Sequence, residues 1–367
     1  MKYYIIAGEA SGDLYGSKLI NEIFSVDEKA DIRFWGGDNM IKSGGYNVKH
    51  IKELAFMGFY EVLKNITTII RNIKFCKNDI KEFNPDKIIY IDYPGFNLKI
   101  SKWAKNNGFK NYYYISPQIW AWKENRIKTI KKNIDKLFVI FPFEKEYYQE
   151  KHNMEVEFYG HPLIEQIDNF NSSNEFLKKN KISKDRNIIT LLPGSRSQEI
   201  NSMLPIFLTL KKHFLNYEFI VAGVKNVNES VYQTALDLDV KVVYNQTYNL
   251  LSQSKIAIVT SGTASLECAL FNVPQIVCYK TSKLSYLIGK SFVKIKFISL
   301  VNIILRKAVV KELIQNNMTE EKLVKELSNL IKEDEIGKMT TEYSKIYSLL
   351  SHQGTSKKIA NSIIEQV

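Results

Sequence analysis

Cysteine is scarce in this sequence, with Cys76, Cys268 and Cys278 the only three among 367 residues. They form no C-x-x-C pair and join no Cys/His cluster at metal-ligand spacing, which argues against a disulfide framework and a zinc site. A reducing, cytoplasmic setting is expected. Long apolar runs are missing as well: no window reaches the roughly 18 apolar residues that a membrane-spanning helix needs. The stretch Met1 to Ala7 has one lysine and a short apolar run before Glu9, unlike a secretory signal. Arginine is the third shortage, with six among 51 basic residues. Nucleic-acid readout leans on clustered arginine and recognisable modules, and neither occurs here, so no nucleic-acid partner is expected. The formal charge of +12 is left to phosphorylated ligands, an anionic membrane surface or a lysine-rich background composition.

What is present is enough apolar material for more than one core, since 45% of the residues are hydrophobic and single cores stop growing near 250–300 residues. The first half alternates apolar runs with helical stretches: Tyr3 to Ala7, Ile32 to Trp35, Lys87 to Ile91, Asn111 to Ile115 and Leu137 to Phe141. After Gly160-His161-Pro162 comes a second series, at Asn187 to Leu192, Tyr217 to Ala222, Lys241 to Tyr244, Ile256 to Thr260 and Gln275 to Tyr279. Its connecting segments include a helix over Ile200 to Phe214, and from about Lys307 the chain reads as helical, with breaks at Gly337 and Gly354. Alternation of this kind predicts an α/β protein of two Rossmann-like domains, 1–162 and 163–345, facing across a cleft, with a helical C-terminus, 346–367, packed back on the first domain or on a partner. Ligands are then expected at the carboxyl ends of the strands.

Four stretches at those ends carry polar groups. Ala7-Gly8-Glu9-Ala10-Ser11-Gly12-Asp13 and Ser261-Gly262-Thr263-Ala264-Ser265-Leu266-Glu267 are small-residue turns between a strand and a helix, where backbone N–H groups and the helix dipole meet an anion. Gly194-Ser195-Arg196 is a third such turn, either a phosphate grip with a forked arginine or a helix start capped by Ser195. Glu267 suits the two hydroxyls of a ribose or complements its helix dipole. Asp92, leaving Lys87 to Ile91 in Asp92-Tyr93-Pro94-Gly95, is either a general base or a turn-forming cap. His161 reads as a hinge residue. Asp237-Leu238-Asp239 resembles a metal-binding D-x-D only superficially, so no metal is expected.

In order along the chain, Ala7-Gly8-Glu9-Ala10-Ser11-Gly12-Asp13, Met57-Gly58, Ile91-Asp92-Tyr93-Pro94-Gly95-Phe96-Asn97, Ser116-Pro117-Gln118-Ile119-Trp120-Ala121-Trp122, Phe141-Pro142-Phe143-Glu144, Gly160-His161-Pro162, Leu192-Pro193-Gly194-Ser195-Arg196 and Ser261-Gly262-Thr263-Ala264-Ser265-Leu266-Glu267 resemble the lipid A disaccharide synthases. These are inverting glycosyltransferases of the two-Rossmann GT-B type. The resemblance implies a UDP-2,3-diacylglucosamine donor, a 2,3-diacylglucosamine 1-phosphate acceptor, a β-1′,6 linkage, release of UDP and no cofactor. It implies an acceptor-binding first domain and a UDP-sugar-binding second domain. Asp92 matches the general base and Glu9 an acceptor-placing carboxylate; Ser11, Asp13, Trp120 and Trp122 fall on the acceptor side. Gly194, Ser195, Arg196, Ser261, Gly262, Thr263, Ala264 and Glu267 fall on the donor side. Asn302 matches a donor-site asparagine, although Val301 stands where proline is usual.

The same resemblance implies acylated substrates drawn from the cytoplasmic face of an inner membrane, and a homodimer becomes plausible. Phe59, Val62, Leu63, Ile66, Ile69, Ile70 and Ile73 recur at helical spacing. That stripe is either a lipid-facing surface or the buried face of a Rossmann helix. Rival functions are another GT-B UDP-sugar enzyme, either a cell-wall transferase or a UDP-N-acetylglucosamine epimerase. A nicotinamide-dependent oxidoreductase would show G-x-G-x-x-G after the first strand, whereas Gly8, Gly12 and Gly16 are spaced by four.

Overall fold

The computed structural model describes residues 1–54, 66–282, 286 and 295–365. The chain forms two compact units, one of Met1–Glu165 with Leu350–Val367 and the other of Gln166–Leu349. Each is built on its own parallel sheet.

The first sheet has seven strands, β1 (Lys2–Ala7), β2 (Asp31–Gly36), β3 (Tyr46–His50), β4 (Lys87–Ile91), β5 (Lys110–Tyr114), β6 (Lys136–Val139) and β7 (Glu157–Phe158), ordered β3-β2-β1-β4-β5-β6-β7. Strand order reverses direction between β1 and β4, where Ala7 lies opposite Ile91. The loops after these two strands therefore emerge side by side, at the place where open α/β sheets bind ligands. Central strands of such sheets are covered on both faces and read as continuous apolar runs; β4, Lys-Ile-Ile-Tyr-Ile, is buried throughout. Its lysine does not contradict this, because Lys87 Nζ donates to the carbonyls of Ile363 and Ile364 at the end of the C-terminal helix. A cation suits those unsatisfied carbonyls and the negative helix end.

Tyrosine does much of the packing here, and a hydrogen-bond partner offsets the burial of its phenol. Tyr4 donates to Asp79 at 2.7 Å, Tyr90 to Asn111 at 2.9 Å and Tyr113 to the carbonyl of Asp92 at 2.6 Å. Helices α1 (Ala10–Val26), α2 (Asp38–Ser43), α3 (Ile66–Phe83), α4 (Pro94–Asn106) and α5 (Pro142–Glu146) connect the strands.

The second sheet has six strands, β8 (Asn187–Leu192), β9 (Tyr217–Gly223), β10 (Lys241–Tyr244), β11 (Ser254–Thr260), β12 (Gln275–Tyr279) and β13 (Lys311–Ile314), ordered β10-β9-β8-β11-β12-β13. Its reversal falls between β8 and β11, where Leu192 lies opposite Val259. The Gly194 and Ser261 loops therefore share one end of this sheet. Helices α6 (Ser197–Leu208), α7 (Thr263–Leu270), α8 (Leu300–Leu305), α9 (Glu320–Leu330) and α10 (Glu333–Leu350) belong to this half of the sequence. Met203, Leu204 and Phe207 of α6 pack into its core with Leu323 and Leu327 of α9.

The last helix, α11 (Thr355–Ile364), lies against α1 in the first unit. Polar ties hold it: Ser356 donates from N and Oγ to Glu165, and Thr355 Oγ1 donates to the carbonyl of Tyr159 at 2.7 Å. Gly160, at φ +103°, makes that approach possible, since a Cβ there would come within 2.7 Å of Thr355 Oγ1.

Several sequence expectations need correction. The stretch after Lys307 is not helical at once, because β13 precedes α9. Edge strands β3 and β7 have no counterpart among the apolar runs of the sequence. Gly337 does not break a helix; it sits inside α10 with open space around its Cα. The helix over Ile200 to Phe214 runs instead from Ser197 to Leu208 and continues as a 3₁₀ turn.

Candidate active site

In the first unit the site grows from the ends of β1, β4, β5 and β6. Asp92 leaves β4 with φ +45° and Tyr93 comes next at +48°, two successive left-handed residues that are not glycine. Such backbone is costly and persists where the surroundings fix it. Here Asn97 Nδ2 and Tyr113 Oη both donate to the Asp92 carbonyl, at 2.7 and 2.6 Å, and Asp92 N donates to the carbonyl of Tyr114. Gly8 is packed under the Tyr93 ring, where a Cβ would come within 2.4 Å. Ile115 at φ +63° and Lys123 at +53° continue the run of strained residues along the same sheet end.

The Asp92 carboxylate is largely desolvated, and Glu9 lies close enough to repel its charge; together they push its pKa up to about 7. The Tyr93 N–H and the Arg126 guanidinium pull the other way. A carboxyl group poised at that value can accept a proton near neutral pH. The helix after it, α4, is capped by Tyr93 with no side-chain bond, so Asp92 is not serving as its N-cap.

A second carboxylate lies behind the first. Glu144 is fully buried and accepts hydrogen bonds from Trp120 Nε1 at 2.9 Å and from the N–H groups of Ile140 and Phe141, both at 3.1 Å. Burial pushes its pKa up to about 7 as well. It fixes the Trp120 loop to the end of β6. Trp120 is half-buried, edge-on to Phe143, whereas Trp122 is exposed.

Other acceptor-side expectations resolve differently. Ser11 lies in the first turn of α1, partly exposed. Asp13 is buried, and its carboxylate accepts from Gly37 N, Asn39 N, Asn39 Nδ2 and Met40 N at 2.7 to 3.1 Å. It ties the end of β2 to the start of α2 and has little left to offer a substrate. His161 is buried and neutral, its pKa pushed down to about 3, with Nδ1 accepting from Leu163 N. Of the apolar stripe, Phe59, Val62 and Leu63 lie outside the described residues. On α3, Ile66 and Ile70 are exposed, Ile69 and Ile73 are partly exposed, and Asn72, Cys76, Ile80 and Phe83 form the buried face.

In the second unit, Gly194 has φ +117° and lies against Glu199. Glu199 accepts from Ser195 N and from Arg196 Nη1, both at 3.1 Å. The cap position of α6 is Arg196 rather than Ser195. Ser195 and Arg196 are both exposed, on the same sheet end as the α7 start. There Gly262 and Thr263 are exposed, Ala264 is partly so, and Ser261 Oγ donates to the carbonyl of Ile298 at 2.8 Å. Glu267 falls in the second turn of α7, accepts from Tyr248 Oη at 3.2 Å, and has its pKa raised by desolvation. Its place beyond the first turn weakens the view of it as a dipole partner.

Asn302 is buried with its amide fully used: Nδ2 donates to Val310 O and Glu312 Oε1, and Oδ1 accepts from the N–H groups of Val309 and Val310. Glu312 in turn accepts from Ile298 N and Ser299 N. Asn302 thus braces the segment that Ser261 touches. Val301 is buried in the first turn of α8, a position that also tolerates proline, and Ser299 still caps the helix through Asn302 N. Arg126, Glu144, Glu199 and Glu312 were not among the predicted site residues. Among the described residues no three His, Cys, Asp or Glu side chains gather as a metal site, and no helix is long and apolar enough to cross a membrane.

Two parallel sheets, each with its polar loops at a reversal of strand order, give an α/β fold of the GT-B type. Solved structures share this fold at low identity. The kitacinnamycin glycotransferase aligns over 100% of this chain and 98% of its own, with TM-score 0.68 and 11% identity. A UDP-GlcNAc 2-epimerase from Neisseria meningitidis, bound to UDP-GlcNAc, aligns over 100% of both chains, with TM-score 0.66 and 13% identity. The fold by itself does not separate transferase from epimerase; the sequence does. The family model described as Lipid-A-disaccharide synthetase matches residues 3–367. A lipid-A-disaccharide synthase from Coxiella burnetii (strain Dugway 5J108-111) is 36% identical over 331 residues, covering 89% of this chain and 88% of that protein. The chain belongs to the lipid-A-disaccharide synthase family, and its activity is hexosyl transfer in lipid A disaccharide synthesis.

Proposed function

We propose that Asp92 is the general base of this transfer. The observation that carries the reading is a desolvated carboxyl group beside Glu9, with a pKa near 7, at the sheet end where strand order reverses. The acceptor is 2,3-diacylglucosamine 1-phosphate and the donor UDP-2,3-diacylglucosamine. Asp92 takes the proton of the acceptor 6-hydroxyl as that oxygen bonds to the donor anomeric carbon from the face opposite UDP. The bond from that carbon to the UDP oxygen breaks with inversion, and UDP leaves with its electron pair. Glu9 orients the acceptor and keeps Asp92 basic. Trp120, pinned by Glu144, lines the acceptor side.

On the donor side, Arg196, the N–H groups at Gly262 and Thr263, and the α7 dipole stabilise the departing diphosphate. Fixed donors aimed at developing charge are worth several kcal/mol where water is excluded. Glu267 takes the ribose hydroxyls. Asn302 acts by bracing rather than by touching the nucleotide, and Asp13 by shaping the first unit. Because the substrates are acylated, the enzyme works at the cytoplasmic face of the inner membrane, with the exposed isoleucines of α3 toward the lipid. Purified protein given both substrates should yield a β-1′,6-linked disaccharide 1-phosphate and UDP by mass spectrometry. Hydrolysis or epimerisation of the donor without a disaccharide would overturn the assignment.

A further inference from the structure

The turn between β5 and the helix at Ile127–Asn133 carries two cations without a counterion. Arg126 is partly buried, and among the described residues neither it nor Lys123 has a carboxylate within ion-pair distance. Both instead lie over one indole ring: Lys123 Nζ is 4.3 Å and Arg126 Cζ 5.2 Å from the Trp122 centroid. The acidic residue between them, Glu124, is committed elsewhere, to Lys151 at 2.6 Å and His152 at 3.5 Å. Each cation is partly desolvated, and Lys123 feels the like charge of Arg126. Holding a partly buried arginine beside a second cation without a paired anion is unfavourable. Aromatic contacts recover only part of that cost, about 0.5–1 kcal/mol at exposed sites. Arg126 feels Tyr113 and then Asp92, and it forms no ion pair with Asp92. Arg126 is therefore the cation close to the proposed base, with Lys123 beside it on the Trp122 ring.

We propose that Arg126 and Lys123, carried on the Trp122 turn, form a phosphomonoester subsite that recognises the phosphate of the sugar-phosphate acceptor and sets the preference for a phosphorylated acceptor. The inference rests on the reading of Asp92 as the base that meets the acceptor hydroxyl. Arg126 supplies a planar fork suited to two phosphate oxygens, and Lys123 a point charge at the rim. Left-handed backbone at Lys123 turns the chain so that Arg126 closes back on it, with Arg126 N donating to the Lys123 carbonyl at 3.0 Å.

The test compares 2,3-diacylglucosamine 1-phosphate with unphosphorylated 2,3-diacylglucosamine, at fixed UDP donor, in the full-length enzyme and in Arg126→Ala, Arg126→Lys and Lys123→Ala. Where turnover of the unphosphorylated sugar is too slow to follow, its inhibition constant against the phosphorylated one supplies the ratio. Arg126→Ala should raise KM for the phosphorylated acceptor about 10- to 100-fold, the range of a charge-assisted hydrogen bond. It should change the unphosphorylated sugar far less, so that the preference collapses. Lys123→Ala should do the same more weakly, Arg126→Lys should restore part of the preference, and UDP affinity and liposome binding should hold. Equal losses on both acceptors would overturn the proposal, as would a loss of UDP or liposome affinity. A shifted pH profile with the preference intact would mean that Arg126 serves Asp92 alone. Absence of disaccharide from the wild-type enzyme would instead defeat the underlying function.

Discussion

The two sheets place their polar loops at equivalent points, yet they equip them differently. In the first sheet the side chains are carboxylates withdrawn from water, Asp92 at the reversal of strand order and Glu144 beyond the end of β6, each pushed up to about 7. In the second they are an exposed arginine, serine and threonine around backbone N–H groups. Proton transfer needs a base whose charge is made unstable by burial, whereas a leaving diphosphate needs donors already pointing at open space. In the proposed mechanism one topology serves two different tasks, and the difference lies in the residues that leave each strand. Tyr113 and Asn97 fix the backbone carbonyl of Asp92; Gly262 has open space around it, and Gly194 lets Glu199 close on the Ser195 turn.

The strongest way to break the comparison is to remove the base. Asp92→Asn keeps the shape of the side chain but cannot take the acceptor proton, so kcat should fall about 10²- to 10⁴-fold, while UDP affinity by calorimetry stays put. The acid limb of kcat/KM should fall near pH 7, because Asp92 must be ionised to act and its pKa is raised to about 7. Glu9→Gln removes a neighbouring negative charge, which lowers the pKa of Asp92 and moves that limb to lower pH. Glu144→Gln separates the two carboxyl groups: the limb should remain, since Glu144 holds Trp120 and takes no proton from substrate. Near-normal turnover in a folded Asp92→Asn protein would return Asp92 to a turn residue.

On the other sheet the expected loss is in binding. Arg196→Ala and Glu267→Ala should each weaken UDP binding about tenfold, the size of one hydrogen bond to a charged group, with circular dichroism unchanged. EDTA should leave activity intact, because in the proposed mechanism protein cations and helix N–H groups hold the diphosphate. Unchanged UDP affinity in both variants would make Arg196 and Glu267 loop-shaping residues, acting through Glu199 and Tyr248. Dependence on magnesium or manganese would contradict the electrostatic division between the two sheets.

Central strands were legible in the sequence because burial on both faces leaves unbroken apolar runs, and β4, β8 and β12 fall where those runs lie. Of the edge strands only β10, with Val242, Val243 and Tyr244 in succession, was legible. Tyr46–His50 and Lys311–Ile314 are partly exposed and too polar or too short to show a pattern, and β7 has two residues. Gly337 misleads for a related reason: glycine in an exposed helix costs only about 1 kcal/mol, and helix α10 absorbs it. In the site, motif residues flanking a strand end could be read directly, as with Asp92, Arg196 and the Ser261 turn. Arg126 and Glu144 could not, because their closeness to Asp92 depends on β4, β5 and β6 being neighbours. The polar saturation of Asp13 and Asn302 was equally hidden, since it rests on N–H groups seven to 27 positions away in the chain.

The smallest expected effect concerns how the first unit meets lipid, and it sharpens the contrast by testing whether α3 of this unit carries a membrane face. Ile66 and Ile70 are exposed on α3, with Phe75 also exposed and Arg71 and Lys74 beside them, while the buried face of the helix is Asn72, Cys76, Ile80 and Phe83. An apolar edge next to basic residues suits the interface of an anionic bilayer, where each nearby cation adds about 1 kcal/mol. Ile66→Glu and Ile70→Glu should therefore reduce sedimentation with anionic liposomes several-fold at low salt, and rising salt should weaken binding of the unaltered protein in the same assay. Stability should be preserved, because neither residue belongs to the buried face; Ile69, being partly covered, is the poorer choice for substitution. Turnover on detergent-dispersed substrates should be unaffected, since both isoleucines are exposed on α3. If both variants bind liposomes as well as the unaltered enzyme, lipid access lies elsewhere on the molecule, and the exposed edge of α3 has no part in it.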